Sequence, residues 1–340
     1  MKLNEEKEFE LVKEILIKLG ANEKQAISVA NATVDADLKG FTSHGIGRFK
    51  QYIIGIKNGN INLKGDYDIE KETEAIALIN GKSLFGQYTA TEAMNLAIKK
   101  AKKVGIGAVG THNSNHFGVT GYYSDLAIKQ GCIGFVIANT APAIAPFGGK
   151  TPIIGTNPIA IGIPNDDEYI ALDMATSVSA RGKLLEAERK GEEIPEGVAL
   201  DKDGKPTTDP KKALEGSILP FGGFKGYGLA FLIEILCGSL VNASIGTKVT
   251  GTANNEIKCT KGDLFIAIDP EKFAGKKRFD EITNEYLEEI KADNGIVPGS
   301  LEVTRMNENH ENGWKLDSAL YETLESICKD LDIDLSKYEA

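Results

Sequence analysis

Gly105-Ile106-Gly107-Ala108-Val109-Gly110 is the stretch on which the fold of this 340-residue chain turns. It is a G-x-G-x-x-G pattern. Such a pattern marks a dinucleotide-binding βαβ unit only when a strand precedes it and a helix follows, because the pyrophosphate rests on the helix N-terminus. Here the order is reversed. Tyr88 to Val104 has helical periodicity, and Ile106 to Val109 reads as a strand. The glycines therefore belong to a helix-to-strand turn, and the pattern predicts a fold other than Rossmann.

Working outward, Ala75 to Ile79 is a second strand candidate, and Ile133 to Ala138 and Ile159 to Ile163 are two more. Gly, Pro and Asn turns separate them, with a helix around Tyr122 to Gln130. Upstream, residues 5–38 read as two amphipathic helices, broken at Gly20 and restarted by Asn22 as a cap. A further helix is predicted from Arg48 to about Lys57. Downstream, residues 182–215 are charged, with a surface turn at Asp201 to Pro206. Gly226 to Val241 is apolar and reads as a buried helix. Leu264 to Ile268 is a strand, and Phe279 to Asp293 and Asp317 to Leu331 are terminal helices. The class is α/β or α+β, with helical material gathered at both ends.

The formal net charge is −10, which argues against nucleic acid or an anionic membrane surface as partner. The N-terminus is too charged for a signal peptide. The most apolar run, Gly228 to Val241, contains Glu234 and is too short to span a bilayer. Cys132, Cys237, Cys259 and Cys328 are scattered without a CxxC pair, so they read as reduced, mostly buried thiols of a cytosolic (cytoplasmic) protein.

Three of the chain's 4 histidines fall in two short polar stretches. His44 lies in Thr42-Ser43-His44-Gly45-Ile46-Gly47-Arg48. His112 and His116 lie in Thr111-His112-Asn113-Ser114-Asn115-His116-Phe117-Gly118. Imidazole titrates nearest neutrality, so His116, flanked by amides and a hydroxyl that can orient it, is the candidate acid/base. A structural, helix-capping histidine is the plainer alternative. His112 and His116 are also four apart, as in zinc-binding helices, but no Glu follows His112, and a metal is not expected. Ser43, His44 and Arg48 read as a carboxylate receiver, since a guanidinium grips a carboxylate through two parallel bonds. The alternative is a surface charge behind Ser43 as N-cap. The only other arginines are Arg181, Arg189, Arg278 and Arg305, and Arg181 is the candidate second cation for a doubly charged substrate. Leu219 to Gly228 carries four glycines and Lys225 directly into the apolar helix, which suits an anion at a helix start or, more plainly, a tight turn.

Together these stretches resemble the malate/L-lactate dehydrogenase family of the non-Rossmann type. The resemblance is carried by Asp37-Leu38-Lys39-Gly40 with Ser43-His44-Gly45 and Arg48, and by Asn113 to Gly118 with Gly121-Tyr122-Tyr123. Pro146-Phe147-Gly148-Gly149, Gly155-Thr156-Asn157-Pro158, Asp173-Met174-Ala175-Thr176 and Gly223 to Gly228 follow in the family's order. Lys205 to Pro210 and Gly251-Thr252-Ala253-Asn254 add to it. It implies a largely antiparallel mixed sheet that binds NAD, with NADP the alternative, over residues 73–274, with the charged excursion near 182–215. A helical domain would come from residues 1–72 and 275–340. It implies a homodimer, and hydride transfer between NAD(P)H and a small anionic 2-oxo/2-hydroxy acid. Sulfopyruvate/L-sulfolactate in coenzyme M biosynthesis is the expected pair, with (S)-malate or L-lactate the alternative. His116 would be the proton acceptor. Thr140, Asp173, Met174, Ala175, Thr176 and Lys225 would contact the cofactor, with Pro298-Gly299-Ser300, although Ser300 stands where the family commonly has an acid.

Overall fold

The computed structural model describes residues 1–251 and 256–340, so Thr252, Ala253 and Asn254 of the motif above lie outside the described residues. The chain opens with β1 (Lys2–Leu3), α1 (Glu5–Lys18), α2 (Glu23–Leu38) and α3 (Phe49–Lys57). Then follow β2 (Asp68–Glu72), β3 (Ile76–Asn80), α4 (Gly86–Val104), β4 (Ile106–His112), α5 (Gly121–Ile128), β5 (Ile133–Ala138), β6 (Ile159–Ile163) and β7 (Ile170–Met174). The charged excursion holds α6 (Arg181–Lys190), β8 (Ala199–Leu200), β9 (Pro206–Thr207), α7 (Pro210–Glu215) and β10 (Ser217–Ile218). α8 (Phe224–Cys237), β11 (Asp263–Ile268), α9 (Lys276–Ala292), α10 (Ser300–Asn312), β12 (Trp314–Lys315) and α11 (Ser318–Asp330) complete it.

The main sheet has seven strands in the order β2-β3-β4-β11-β5-β6-β7. Only β3 and β4 are parallel, joined by α4 as a crossover; every other neighbouring pair is antiparallel. The sheet is thus mixed and largely antiparallel, as the resemblance implied. The G-x-G-x-x-G stretch lies at the junction of α4 and β4. Gly105 caps the helix at φ 100°, a conformation glycine adopts without a Cβ penalty. A Cβ on Gly107 would stand 2.1 Å from the Ala97 carbonyl oxygen, so this glycine lets the strand lie against the helix.

α1 and α2 start where expected, the Asn4 and Asn22 side chains accepting from Lys7 N and Gln25 N at 2.9 Å. Each such cap contributes about 0.5–2 kcal/mol. One core joins Leu11, Ile15, Val29, Phe49, Tyr52 and Tyr88 to Leu324 and Cys328 of α11. A second lies between the sheet and α4/α5, around Met94, Val109, Tyr123 and Phe265. A smaller third holds the excursion together through Leu184, Ile194 and Ala199.

Two expectations change. α8 is not a buried helix. It lies on the sheet through Ala230, Ile233 and Cys237, while Phe231, Leu232, Ile235 and Leu236 are exposed. An all-round apolar helix needs a cover on both sides, and here one side is open. The second change is α10, which follows Gly299 where no helix was expected; its polar run Ser300–Asn312 has no buried residue and no clear apolar stripe. The four cysteines are free and buried. Among the described residues no helix is long and apolar enough to cross a membrane.

Candidate active site

The strand register brings one end of each sheet strand together. Asn80 pairs with His112, Thr111 with Asp263, Asp263 with Ala138, and Ile159 with Met174. The loops leaving this end carry Asn113 to Gly118, Asn139-Thr140, Asn157 and Ala175-Thr176. Candidate residues 60 positions apart in sequence are thus set on a common rim.

His116 is the centre of this rim. Its Nε2 lies 3.1 Å from Arg48 Nη2, which comes from the turn before α3. The Gly118 N–H donates to Nδ1 at 3.2 Å, and the Tyr52 hydroxyl is 3.2 Å from the same nitrogen. The His44 ring stacks on His116 at 5.6 Å between centroids. Ser43 Oγ is 2.9 Å from His44 Nδ1. The structure therefore joins His116, Arg48, His44 and Ser43 in one cluster. Arg181 begins α6 beside it: a Cβ on Gly182 would lie 3.9 Å from Ser43 Cβ.

Both ring nitrogens of His116 meet obligatory donors, the guanidinium and a backbone N–H, and no carboxylate bonds to the ring. A neutral imidazole has one acceptor nitrogen and an imidazolium none. Burial first, then the charges of Arg48, His44 and Lys261, hold His116 well below its ordinary range. Burial, and then Arg48, lower His44 to about 4. Desolvation also lowers the Arg48 guanidinium somewhat. Both imidazoles are consequently neutral at physiological pH, and the Arg48 guanidinium beside them has no carboxylate on the His116 ring to share.

The asparagines around His116 act on the loop rather than on the ring. The Asn115 amide donates to the carbonyls of Asn60, Ser83 and Leu84, and Ser114 Oγ meets Thr89 Oγ1 at 2.5 Å. Asn113 adopts φ 51°. His112 faces the other way, its Nε2 2.9 Å from Glu70 of β2. Among the described residues no three His, Cys, Asp or Glu side chains converge to hold a metal ion.

Sequence reasoning missed Tyr52, Gln87 and the Lys261–Asp263 pair. Tyr52 lies four residues after Arg48 on the same helical face, a spacing that could have flagged it. Gln87 donates to the Tyr52 hydroxyl at 2.7 Å and fixes it against the imidazole. Lys261 is buried, paired with Asp263, and its ammonium stands 4.2 Å over the Phe117 ring. Asp263 also accepts from Thr111 Oγ1 at 2.8 Å.

The cofactor candidates form a second group. Thr140 N donates to Asn157 Oδ1 at 3.0 Å, Thr156 N donates to Thr140 Oγ1 at 3.0 Å, and Thr176 Oγ1 donates to the Thr156 carbonyl at 2.9 Å. Phe221 N then bonds to the Thr176 carbonyl, tying this rim to the Gly-rich loop. Gly222 and Gly223 take φ 56° and 64° before α8, and Lys225 sits exposed in its first turn. A cavity of about 390 Å³ opens between Pro146–Gly149 and Pro220–Gly223. Asp173 is half-buried, its Oδ2 accepting from Gly121 N at 2.6 Å at the start of α5, and desolvation raises its carboxyl to about 6. Met174 and Ala175 continue from Asp173 toward Thr176. The Pro298 carbonyl accepts from Ala171 N at 3.0 Å, Ser300 Oγ bonds to the Val297 carbonyl, and Gly299 faces Asp173 across a small cavity.

The whole chain is similar to known proteins. The family model described as malate/L-lactate dehydrogenase matches residues 3–325. An L-sulfolactate dehydrogenase of Methanothermobacter thermautotrophicus is 56% identical over 336 residues, 98% of each chain. A malate/(S)-sulfolactate dehydrogenase of Methanothermus fervidus is 54% identical, over 99% of this chain and 100% of its own. The solved sulfolactate dehydrogenase of Methanocaldococcus jannaschii superposes with a TM-score of 0.94 at 54% identity, over 99% of each chain. The chain belongs to the malate/L-lactate dehydrogenase family. It is an oxidoreductase, an NAD(P)-dependent dehydrogenase of 2-hydroxy acids.

Proposed function

We propose that this dehydrogenase interconverts sulfopyruvate and L-sulfolactate, with His116 as its acid/base and Arg48 as the receiver of the substrate carboxylate. The observation that carries the residue roles is the 3.1 Å approach of Arg48 to His116 in a cluster without a carboxylate. An incoming 2-oxo acid supplies the missing negative charge. The substrate class is supported by the sulfolactate dehydrogenases among the three relatives above; malate/oxaloacetate is the second pair, favoured by the Methanothermus fervidus relative.

In the oxidation direction neutral His116 accepts the substrate hydroxyl proton. In the reduction direction the ring must first be protonated, and the arriving anion favours that by opposing the Arg48, His44 and Lys261 charges. Positioned proton transfer of this kind contributes about 10²–10⁴-fold. Arg48 leaves the imidazole and takes the carboxylate through charged hydrogen bonds worth about 1.5–3 kcal/mol each. Ser43 and His44 flank that carboxylate. Arg181, at the mouth, is assigned to the distal acidic group.

The residues present fit a nicotinamide dinucleotide. An exposed ammonium at the start of α8 and glycine N–H groups suit its phosphates, and the cavity beside them is open. Lys225 and the Gly222–Gly223 turn would hold the phosphates, and Thr140, Asp173, Met174, Ala175 and Thr176 would line the approach, with Pro298, Gly299 and Ser300 behind Asp173. When bound, the nicotinamide supplies or accepts the hydride. NAD is the preferred form, with NADP the alternative. The exposed apolar face of α8 supports a homodimer built over it.

The test is initial-rate oxidation of NADH and NADPH with sulfopyruvate, oxaloacetate, pyruvate and 2-oxoglutarate. The reading expects the highest kcat/KM with sulfopyruvate; a tenfold preference for pyruvate contradicts it.

A further inference from the structure

We propose that Glu8 of α1 and Asp37 of α2 form a proton-sharing carboxyl pair that positions the Ser43–Arg48 loop, so that loss of the shared proton loosens the substrate receiver. The inference rests on the reading of Arg48 and His44 as substrate-binding groups.

Asp37 is buried in the last turn of α2, and its Oδ2 accepts from the Ile46 backbone N–H at 2.6 Å. That bond fixes the loop midway between His44 and Arg48. The loop runs so close that a Cβ on Gly45 would stand 2.0 Å from Asp37 Oδ2, so a side chain there is excluded. Glu8 is fully buried, and the Asp37 carboxyl is close enough to act on it electrostatically. One Glu8 oxygen, Oε2, accepts from the indole N–H of Trp314 at 2.8 Å. The other, Oε1, is buried and meets no donor. A carboxyl oxygen left without a donor beside a second carboxyl is where a proton belongs.

The other groups around the pair do not neutralise it. From α10, the Asn309 amide donates to the backbone carbonyls of Asp37 and Leu38, and Arg305 passes along Gly40. His310 is engaged with Glu5 on the rim of α1. Among the described residues no ion pair includes Glu8 or Asp37. Two buried carboxyls this close cannot both ionise cheaply. Burial, and then Asp37, raise Glu8 well above its ordinary range; burial raises Asp37 to about 7 against the Ile46 hydrogen bond and the Glu8 carboxyl. Below neutrality one proton bridges the pair, and Asp37 presents a fixed acceptor to Ile46. Above it, two carboxylates repel, and the loop is the element free to yield.

Trp314 is the chain's only tryptophan, so its emission reads Glu8 directly. Emission of the full-length protein is followed from pH 5 to 9, alongside KM for oxaloacetate with saturating NADH. In the natural protein both change through one inflection near neutrality, KM rising on the alkaline side. Glu8→Gln donates to Asp37 at every pH, so it loses the inflection in both readouts. Asp37→Asn, which keeps an acceptor for Ile46, loses it too and serves if Glu8→Gln does not fold. An inflection that persists in the variants, or a tryptophan inflection with a flat KM profile, overturns the proposal. If the natural protein reduces none of the four 2-oxo acids, the functional reading fails, and emission alone still decides whether the proton is shared.

Discussion

The ammonium of Lys39 meets two carboxylates, whereas the imidazole of His116 meets none. Both groups lie among polar side chains. Lys39 bonds to Asp35 at 2.8 Å and to Asp125, and Tyr169 closes the set by donating to Asp125 at 2.9 Å. Burial alone lowers the ammonium's pKa, but Asp35 and Asp125 overcome that and raise it. This cluster ties α2 to α5 and to the strand edge at β7. Around His116 the nearest charges are Arg48 and Lys261, and Asp263 is engaged with Lys261. Compensated charge anchors the fold, and uncompensated charge waits for a ligand. The two regions should therefore respond oppositely to mutation.

The largest effect expected is at His116. His116→Ala should cut turnover by about 10²–10⁴-fold, with NADH affinity, read by nucleotide fluorescence, close to normal. Activity within about threefold of the natural protein would remove the distinction between the regions. Next is Lys39→Met, which leaves Asp35 and Asp125 buried without their partner. It should cost about 3–5 kcal/mol in a denaturant unfolding experiment, with kcat in the surviving folded enzyme little changed. Arg48→Lys should do the converse. It leaves unfolding stability near normal and raises KM for the 2-oxo acid about tenfold, the loss of one charged hydrogen bond of about 1.5–3 kcal/mol. An unchanged KM would take Arg48 out of the substrate site. The smallest is His112→Asn, which breaks a partly exposed pair with Glu70 and should cost about 0.2–1 kcal/mol with activity and metal content unaltered. A loss of activity comparable to that at His116 would revive a joint role for the two histidines.

The same contrast sets opposite pH responses. The imidazoles of His44 and His116 are depressed in the folded state, so their contribution is present above the ordinary histidine range and is lost as pH falls through it. Asp37 and Asp173 are raised, to about 7 and about 6, so their contribution is present at acid pH and is lost as pH rises through those values. The two windows overlap below about pH 7, so the opposing contributions offset one another there, and neither changes the melting temperature between pH 8 and 9. Arg48→Met relieves only the imidazoles, so its melting temperature should fall less toward pH 4 than that of the natural protein.

The polarity of the fold was legible because Gly105 to Gly110 join a helix to a strand rather than a strand to a helix. The cluster of Ser43, His44, Arg48 and His116 was legible because scarce residues fell in short polar turns. What escaped depends on distance in sequence. Tyr52 lies within α3, and its hydroxyl meets His116, 64 positions further along the chain, only in the folded protein. Lys261 and Asp263 flank Gly262 at the start of β11, and nothing in that local spacing signals that both charges are buried in the folded sheet. α10 escaped because Leu301, Val303 and Met306 are scattered among polar residues of Ser300–Asn312 and the helix has no side-chain cap bond at its start. α8 misled in the other direction, since apolar composition signals burial without saying whether the same chain supplies the cover.

Proton uptake on anion binding tests the central claim most directly. The NADH complex is titrated calorimetrically with oxamate, an unreactive 2-oxo acid mimic, near pH 7.5 in buffers of different ionisation enthalpy. The natural protein should take up roughly one proton per site more than His116→Ala. Binding without uptake in the natural protein, or equal uptake in the variant, would contradict it.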